Sequence, residues 1–450
     1  MNFYYSQFLL IISIFSIIFS SSLDQYEEKI IFFPITLNTN AYFANIYFGE
    51  PLQKILLSLD QELQVTWTDT IHYNQLTSRK SRDINETKIS FRKINLFGTT
   101  ISETISFIND ANIINNINKT KNITIDDFRF VLIENSRGYD SRIGGIGLAY
   151  KFAYEEYSLI HHFKKNNLIN YLSYAFIPPS LFNNNNNNSS KNNEGLVFFG
   201  GIPKDYIMNK YRYNCKVTEN YNFWSCNLPY ILFGDISYYS NINNTLYYEN
   251  NNYAYFNGAE RRILAPEAFM LFLKHNYFKD EINNRSCEYH LIGMNYVFEC
   301  VCSVKNHFQD INFVFDNYLY KYTSEELFEY YGVGNCLFLI QSNHLRDNNF
   351  LFGASFLNKF ISNFDYETKY ISFYTPNKMN KINLKDFRNP NKIGIYIIGA
   401  IIILLIIGAI FYIRRKKKAK NDKTDLLIGN NKGNNKIKKM NNEEEGYELK

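Results

Sequence analysis

Between residues 30 and 70 apolar and polar positions alternate with a period of two, which predicts strands that bury one face. Two such runs, Tyr42–Phe48 and Leu52–Leu59, are joined by Gly49-Glu50-Pro51, a turn sequence, and predict a hairpin. Asp60 ends the second run and Trp67 follows it. A further strand–turn–strand reads over residues 89–107. Tyr230–Leu246 also reads as strand. Helical spacing is confined to short segments, one marked by Leu159, Phe163, Leu168 and Ile169, another over Glu267–Phe278. His161 and His162 lie in the first and read as a solvated pair. The Asn183–Asn193 tract is of low complexity and predicts a surface loop.

Two unbroken apolar runs frame this β-rich body. Residues 8–19 end in Ser20-Ser21-Ser22, so residues 1–22 read as a cleaved signal peptide. Residues 393–413 reach the ~20 residues that a helix needs to cross a bilayer core. The basic run Arg414–Lys418 follows at once, which predicts a type I protein with residues 414–450 in the cytoplasm. Residues 379–392 are then a juxtamembrane linker. The folded part is expected in the lumen of the secretory or endosomal (vacuolar) system or at the cell surface. In the tail, Asp422, Leu426 and Leu427 resemble an acidic di-leucine signal, which predicts a sorting adaptor as a partner.

A length of 450 residues suits two lobes with appendages. The net charge of +5 is concentrated in the basic run beside the apolar segment, so it argues for membrane flanking and against a nucleic-acid surface. Six cysteines, Cys215, Cys226, Cys287, Cys300, Cys302 and Cys336, form an even set that predicts three disulfides, with about 15 connectivities open. No Cys-x-x-Cys pair suggests zinc, and no metal or cofactor is expected. Asn85, Asn118, Asn122, Asn188, Asn243 and Asn284 open Asn-x-Ser/Thr sequences that permit glycosylation.

The hairpin ending at Asp60, with Pro51, Gln53 and Trp67 at their offsets, resembles the first catalytic hairpin of the pepsin-like aspartic peptidases. Ser90, Gly98 and Glu103-Thr104-Ile105 resemble that family's flap. Gly144–Tyr150 resembles its Gly-Ile-Leu-Gly-Leu crossing, and Gly195–Ile202 the strand before its inter-lobe linker. Ala254–Pro266 resembles its second catalytic loop, and Phe350–Leu357 with Phe364-Asp365 its closing strands. The resemblance covers about residues 40–375. It implies an all-β, bilobal pepsin-like fold, with lobes at residues 24–205 and 206–378, ahead of the transmembrane helix. It also implies that one of Cys300 and Cys302 bonds Cys336 and the other Cys287, leaving Cys215 with Cys226.

Aspartic peptidases hydrolyse amides with two carboxylates that share one proton, one acting as base and the other as acid. The resemblance places Asp60 at the first catalytic position and Asn257 at the second, where a carboxamide can take neither role. Gln61, Glu62 and Leu63 stand where the first loop has Thr-Gly-Ser, and Gly258, Ala259 and Glu260 stand in the second loop. The hydroxyl grip between the loops is therefore expected to be lost. The flap tyrosine is replaced by Phe91, and the tip glycines by Arg92 and Ile94. Two routes back to activity stay open, Glu62 or Glu260 as the second carboxylate and deamidation at Asn257-Gly258, while a register in which Phe256 is the true match would be equally inactive. The alternative for both glutamates is solvent or a pairing with Arg261 or Arg262. The resulting expectation is a membrane-anchored pseudopeptidase that binds a peptide or protein in the cleft between its lobes. An active endopeptidase using Asp60 with an atypical partner, and an adhesion ectodomain with a vestigial cleft, are the alternatives.

Overall fold

The computed structural model describes residues 29–38, 41–91, 94–108, 122–133, 144–152, 155–182, 193–219, 221–234, 246–250, 253–342, 348–382 and 401–417. The chain divides into two units, residues 1–382 and 383–450. The first half of the larger unit is built from β1 (Ile31–Asn38), β2 (Ala41–Phe48), β3 (Gln53–Asp60), β4 (Trp67–Asp69), β5 (Arg82–Phe91), β6 (Ile94–Phe107), β7 (Ile123–Ile133), β8 (Gly144–Gly147), β9 (Ser173–Ile177) and β10 (Glu194–Phe199). The second half contains β11 (Tyr211–Lys216), β12 (Ser225–Asn227), β13 (Tyr230–Phe233), β14 (Tyr247–Glu249), β15 (Tyr253–Phe256), β16 (Ile263–Ala265), β17 (Cys287–Ile292), β18 (Asn295–Val301), β19 (Ile311–Phe315) and β20 (Tyr318–Tyr322). It closes with β21 (Phe328–Gly332), β22 (Asn335–Phe338), β23 (Ile340–Ser342), β24 (Phe350–Phe352), β25 (Ile361–Asp365) and β26 (Tyr370–Thr375).

One 13-stranded sheet runs through the unit in the order β11-β26-β25-β9-β10-β1-β2-β3-β8-β4-β7-β6-β5. Its middle joins the halves, because β9 of the first pairs with β25 of the second. Each half also contains the same knot of short strands. In the first, β3 and β8 run parallel, β8 and β4 antiparallel, and β4 and β7 parallel. In the second, β15 and β24 run parallel, β24 and β16 antiparallel, and β16 and β23 parallel. Strands this short are held by a dense aromatic core: Phe256 contacts Phe315, Phe352, Phe356 and Phe373, while Trp224 lies between Phe364 and Tyr366.

Small residues are required where the strands cross. A Cβ on Gly147 would meet the Val65 backbone at 2.7 Å, and one on Gly353 would meet the Glu260 and Arg262 carbonyl oxygens at 2.4 and 2.5 Å. These are the corresponding residues of the two knots, each beside the end of a central strand. The Gly144–Gly147 and Phe350–Phe352 motifs thus mark the two places where backbone passes against backbone.

The disulfides are Cys215–Cys226, Cys287–Cys300 and Cys302–Cys336. Within the four-stranded sheet β17-β18-β22-β21, Cys287 lies directly across from Cys300. Cys302, just past the end of β18, reaches Cys336 on β22. Cys215 and Cys226 do not flank a hairpin: β11 pairs with β26 and β12 with β15, so this bond ties the large sheet to a separate one.

The helix over Leu159–Lys165 buries Leu159, Ile160 and Phe163, and also His162, which corrects the reading of a solvated histidine pair. His162 packs its ring edge-on to Phe128 and hydrogen-bonds the Glu156 carbonyl oxygen. Burial lowers its pKa, as it does for His161. Strand structure over Tyr230–Leu246 is limited to β13, and residues 235–245 lie outside the described residues. The expected helix over Glu267–Phe278 is an α-helix to Phe272 that continues as a π-helix over Leu273–Tyr277.

The expected signal peptide, the sorting motif at Asp422, Leu426 and Leu427, and the possible glycosylation sites Asn118, Asn188 and Asn243 also lie outside the described residues. In the smaller unit residues 401–417 form a helix with its apolar side chains exposed, while residues 393–400 of the expected span are not described. Among the described residues no helix is long and apolar enough to cross a membrane.

Gly353→Ala should lower the urea midpoint by the equivalent of about 1–3 kcal/mol, because the added methyl meets immovable backbone. Gly332→Ala, where a Cβ meets nothing within 4 Å, should change it far less.

Candidate active site

The two knots place two loops face to face. In the first, Leu59 pairs with Ile146 and Asp60 with Gly147. In the second, Phe256 pairs with Phe352, and the Asn257 N–H donates to the Phe352 carbonyl oxygen at 3.0 Å, next to Gly353. Asn257 therefore occupies in the second half the place that Asp60 occupies in the first. Phe256, the off-by-one alternative, points into the aromatic core.

Both loops turn in the same way. Asp60 Oδ1 accepts from the Glu62 N–H at 2.9 Å, and Asn257 Oδ1 accepts from the Ala259 N–H at 3.0 Å. Each side chain thus caps the backbone two residues on, the Asx-turn that short polar side chains favour. This turn forms on both sides without the glycines expected after each catalytic position.

The loops also grip each other. The Gly258 N–H donates to Gln61 Oε1 at 2.6 Å, the Gln61 N–H donates to Asn257 Oδ1 at 3.3 Å, and the Tyr42 N–H donates to the Gly258 carbonyl oxygen at 2.8 Å. The expectation that the grip is lost is corrected here. A glutamine carboxamide reaches across where a hydroxyl was expected.

The orientation of the Asn257 side chain follows from these bonds. Its Oδ1 accepts two backbone N–H groups, so Nδ2 must face the other way. It donates to Asp60 Oδ1 at 3.0 Å and to Glu62 Oε2 at 2.9 Å. Asp60 is 1% exposed, Asn257 0% and Glu62 6%. Of the two glutamates considered as a second carboxylate, only Glu62 joins Asp60, and it turns inward, away from both solvent and the arginines. Arg261 and Arg262 pair with Glu329 instead, at 3.1 and 3.5 Å. Glu260 accepts from the Arg261 N–H and stays partly exposed.

Two carboxylates meeting at one nitrogen repel each other when both are ionised, and the amide hydrogens between them offset part of that repulsion. Behind them, Leu148 seats the first loop by donating its N–H to the Asp60 carbonyl oxygen. Its own carbonyl accepts from Trp224 Nε1 at 2.8 Å and from the Tyr174 hydroxyl at 3.1 Å. Burial pushes the Tyr174 phenol far above its ordinary pKa, and the negative charge of Asp60 adds to that shift.

Leu63 joins a buried cluster with Val65, Trp67, Val131, Ile133 and Tyr157. Phe91 ends β5 opposite Ile94, while Arg92 lies outside the described residues. Gly258 N, the atom that would attack the carboxamide in deamidation of Asn257, is committed to Gln61 Oε1. Among the described residues no cluster of three or more His, Cys, Asp or Glu could hold a metal ion.

Sequence reasoning missed the parts played by Gln61 and Glu62 in binding the opposite loop. Two long polar residues directly after a buried aspartate, in a loop that must meet another loop, were the available signal.

A family model described as eukaryotic aspartyl protease matches residues 41–375. No curated protein matches the chain.

Gln61→Ala should cost about 1–3 kcal/mol in urea unfolding, since it leaves the buried Gly258 N–H without an acceptor. Asn257→Asp brings a third carboxylate to the site and removes the side-chain amide that donates to both Asp60 and Glu62. At pH 7 it should cost about 3 kcal/mol or more. Crowding raises the folded pKa values above the ~4 of unfolded carboxyl groups, so the variant binds protons more readily when folded. Its deficit against the wild type should therefore be full above those raised values and shrink as pH falls through them. Unfolding curves at pH 7 and pH 4 measure this.

Proposed function

The chain belongs to the eukaryotic aspartyl protease family, and we propose that it is a non-catalytic member that binds an extended peptide or protein segment between its lobes. The observation that carries this reading is the position of Asn257 Nδ2 within hydrogen-bond distance of both Asp60 and Glu62. A catalytic pair needs a proton that passes between two carboxylates through a bound water. Here a carboxamide that cannot be deprotonated fills the second catalytic position and donates to Asp60. The groups that would activate water are instead used to hold the lobes together.

The rest of the proposal concerns location. The exposed apolar helix at residues 401–417 and the basic residues Arg414, Arg415, Lys416 and Lys417 on it support a membrane anchor. Three disulfides support an oxidising compartment for the folded unit. The protein then presents a peptide-binding unit on the lumenal or outer face of a membrane, with a tail available to a sorting adaptor.

The inward turn of Glu62 favours one second reading, a hydrolase in which Asp60 and Glu62 are the carboxylate pair and the Asn257 amide stabilises the developing oxyanion. The two readings separate in one assay. Full-length protein is incubated with a quenched-fluorescence peptide library from pH 3 to pH 7. The non-catalytic reading expects no cleavage above that of an Asp60→Ala control, together with saturable peptide binding. Cleavage that disappears in both Asp60→Ala and Glu62→Gln would replace it with the second reading.

A further inference from the structure

An open pocket of about 620 Å³ is lined by Tyr211, Arg212 and Tyr213 of β11, Tyr318 of β20 and residues 378–381, none of which belongs to the paired loops. β11 stands at the edge of the 13-stranded sheet. The segment that closes the pocket is held in place by its backbone. The Met379 N–H donates to the Tyr213 hydroxyl at 2.7 Å, and the Leu319 N–H donates to the Asn380 carbonyl oxygen at 3.0 Å. The Ile382 N–H donates to the Asn317 carbonyl oxygen at 2.8 Å. Tyr213 meets Tyr318 edge-on, with ring centroids 4.8 Å apart.

The cations of this pocket have no paired counter-ion. Lys378 and Lys381 are exposed, and among the described residues neither ammonium makes a hydrogen bond or an ion pair. Lys381 Nζ lies over the Tyr318 ring, 5.8 Å from its centroid. Arg212 bonds only neutral oxygens, Asn214 Oδ1 at 2.9 Å and Ser372 Oγ at 3.1 Å, and its guanidinium lies over the Tyr374 ring. One carboxylate, Asp316, feels the charge of Lys381 without pairing with it. Tyr211 is 48% exposed beside these cations.

An anion fits this cluster, and chain order favours one source. The apolar run begins at residue 393, and the chain from Ile382 to that point spans at most about 40 Å when extended. Lys385, Arg388 and Lys392, against the single acid Asp386, carry the same sign in the sequence between them. Basic residues next to a membrane helix are drawn to anionic lipid headgroups, and a short tether keeps those headgroups at high local concentration. Exposed tyrosine rings suit the headgroup level. A free acidic peptide has no such tether.

We infer that this pocket docks on anionic phospholipid headgroups, whose phosphates pair with Lys378 and Lys381 beside the Tyr211 ring. The inference rests on the membrane anchor proposed above.

All six cysteines are in disulfides, so Asn380→Cys gives the full-length protein one thiol for a fluorophore. The labelled protein is placed in phosphatidylcholine nanodiscs that carry a headgroup-attached quencher, with or without phosphatidylserine. Docking, read from quenching, should be stronger with phosphatidylserine and fall back in high salt. Lys378→Gln and Lys381→Gln should each weaken it by about fivefold. Thermal melting checks that both variants keep the fold. Retention by phosphatidylcholine discs in high salt reads the anchor separately, and a protein that washes off overturns the anchor and this inference with it. A retained protein quenched equally in both lipids, or equally in both variants and the wild type, overturns the docking site alone. So does a response of the label to micromolar hexaglutamate with none to phosphatidylserine, which would identify an acidic peptide as the occupant.

Discussion

The Asn257 side chain meets its hydrogen-bonding needs at the junction of two lobes. Its oxygen accepts from Ala259 in its own loop and from Gln61 across the junction, and its nitrogen donates to Asp60 and Glu62. A carboxylate in that position could accept the first two bonds but could not supply the last two. The same loops cannot both be knit in this way and hold a carboxylate at each of the two catalytic positions. On the proposed reading, fold and chemistry separate at one residue. The peptidase-like backbone is retained, and the polar groups at its centre are used for cohesion.

The duplicated knots make such an exchange possible. Each loop is fixed from below by a parallel pair of short strands and a glycine against which the backbone must pass, at Gly147 and Gly353. Neither constraint involves the side chains that face the opposite loop, so these can change while the loop geometry is kept. The matching turns at Asp60 and Asn257 show this directly, because an aspartate and an asparagine cap their backbones equally well. The closely packed Phe and Tyr residues on either side keep the two halves in register, and the β9–β25 pairing joins them in one sheet.

Much of this organisation could be read from the chain. The hairpin ending at Asp60 follows from periodicity, because strand alternation is set locally, and the resemblance to the pepsin-like family implies the small-residue crossings and the place of Asn257. What depended on the third dimension was harder to read. Glu62 looked like a solvent-facing replacement for glycine, and nothing local to it shows that an amide donor lies across the lobe junction. Gln61 looked like the loss of a grip when it is a longer way of making one. His162 was read as exposed because its helix is short and polar, but Phe128 packs against it from a strand distant in sequence. The resemblance left Cys215 with Cys226, but nothing local shows that their strands belong to different sheets.

The central claim is that Asp60 and Asn257 form a structural contact with no shared proton. The most direct measurement is equilibrium binding of a statine-containing transition-state analogue, whose hydroxyl takes the place of the water between two catalytic carboxylates. With Asn257 Nδ2 donating to Asp60 and Glu62, the wild-type protein should show no binding at micromolar inhibitor from pH 3 to pH 7. Nanomolar binding at acidic pH, lost in Asp60→Ala, would contradict the account.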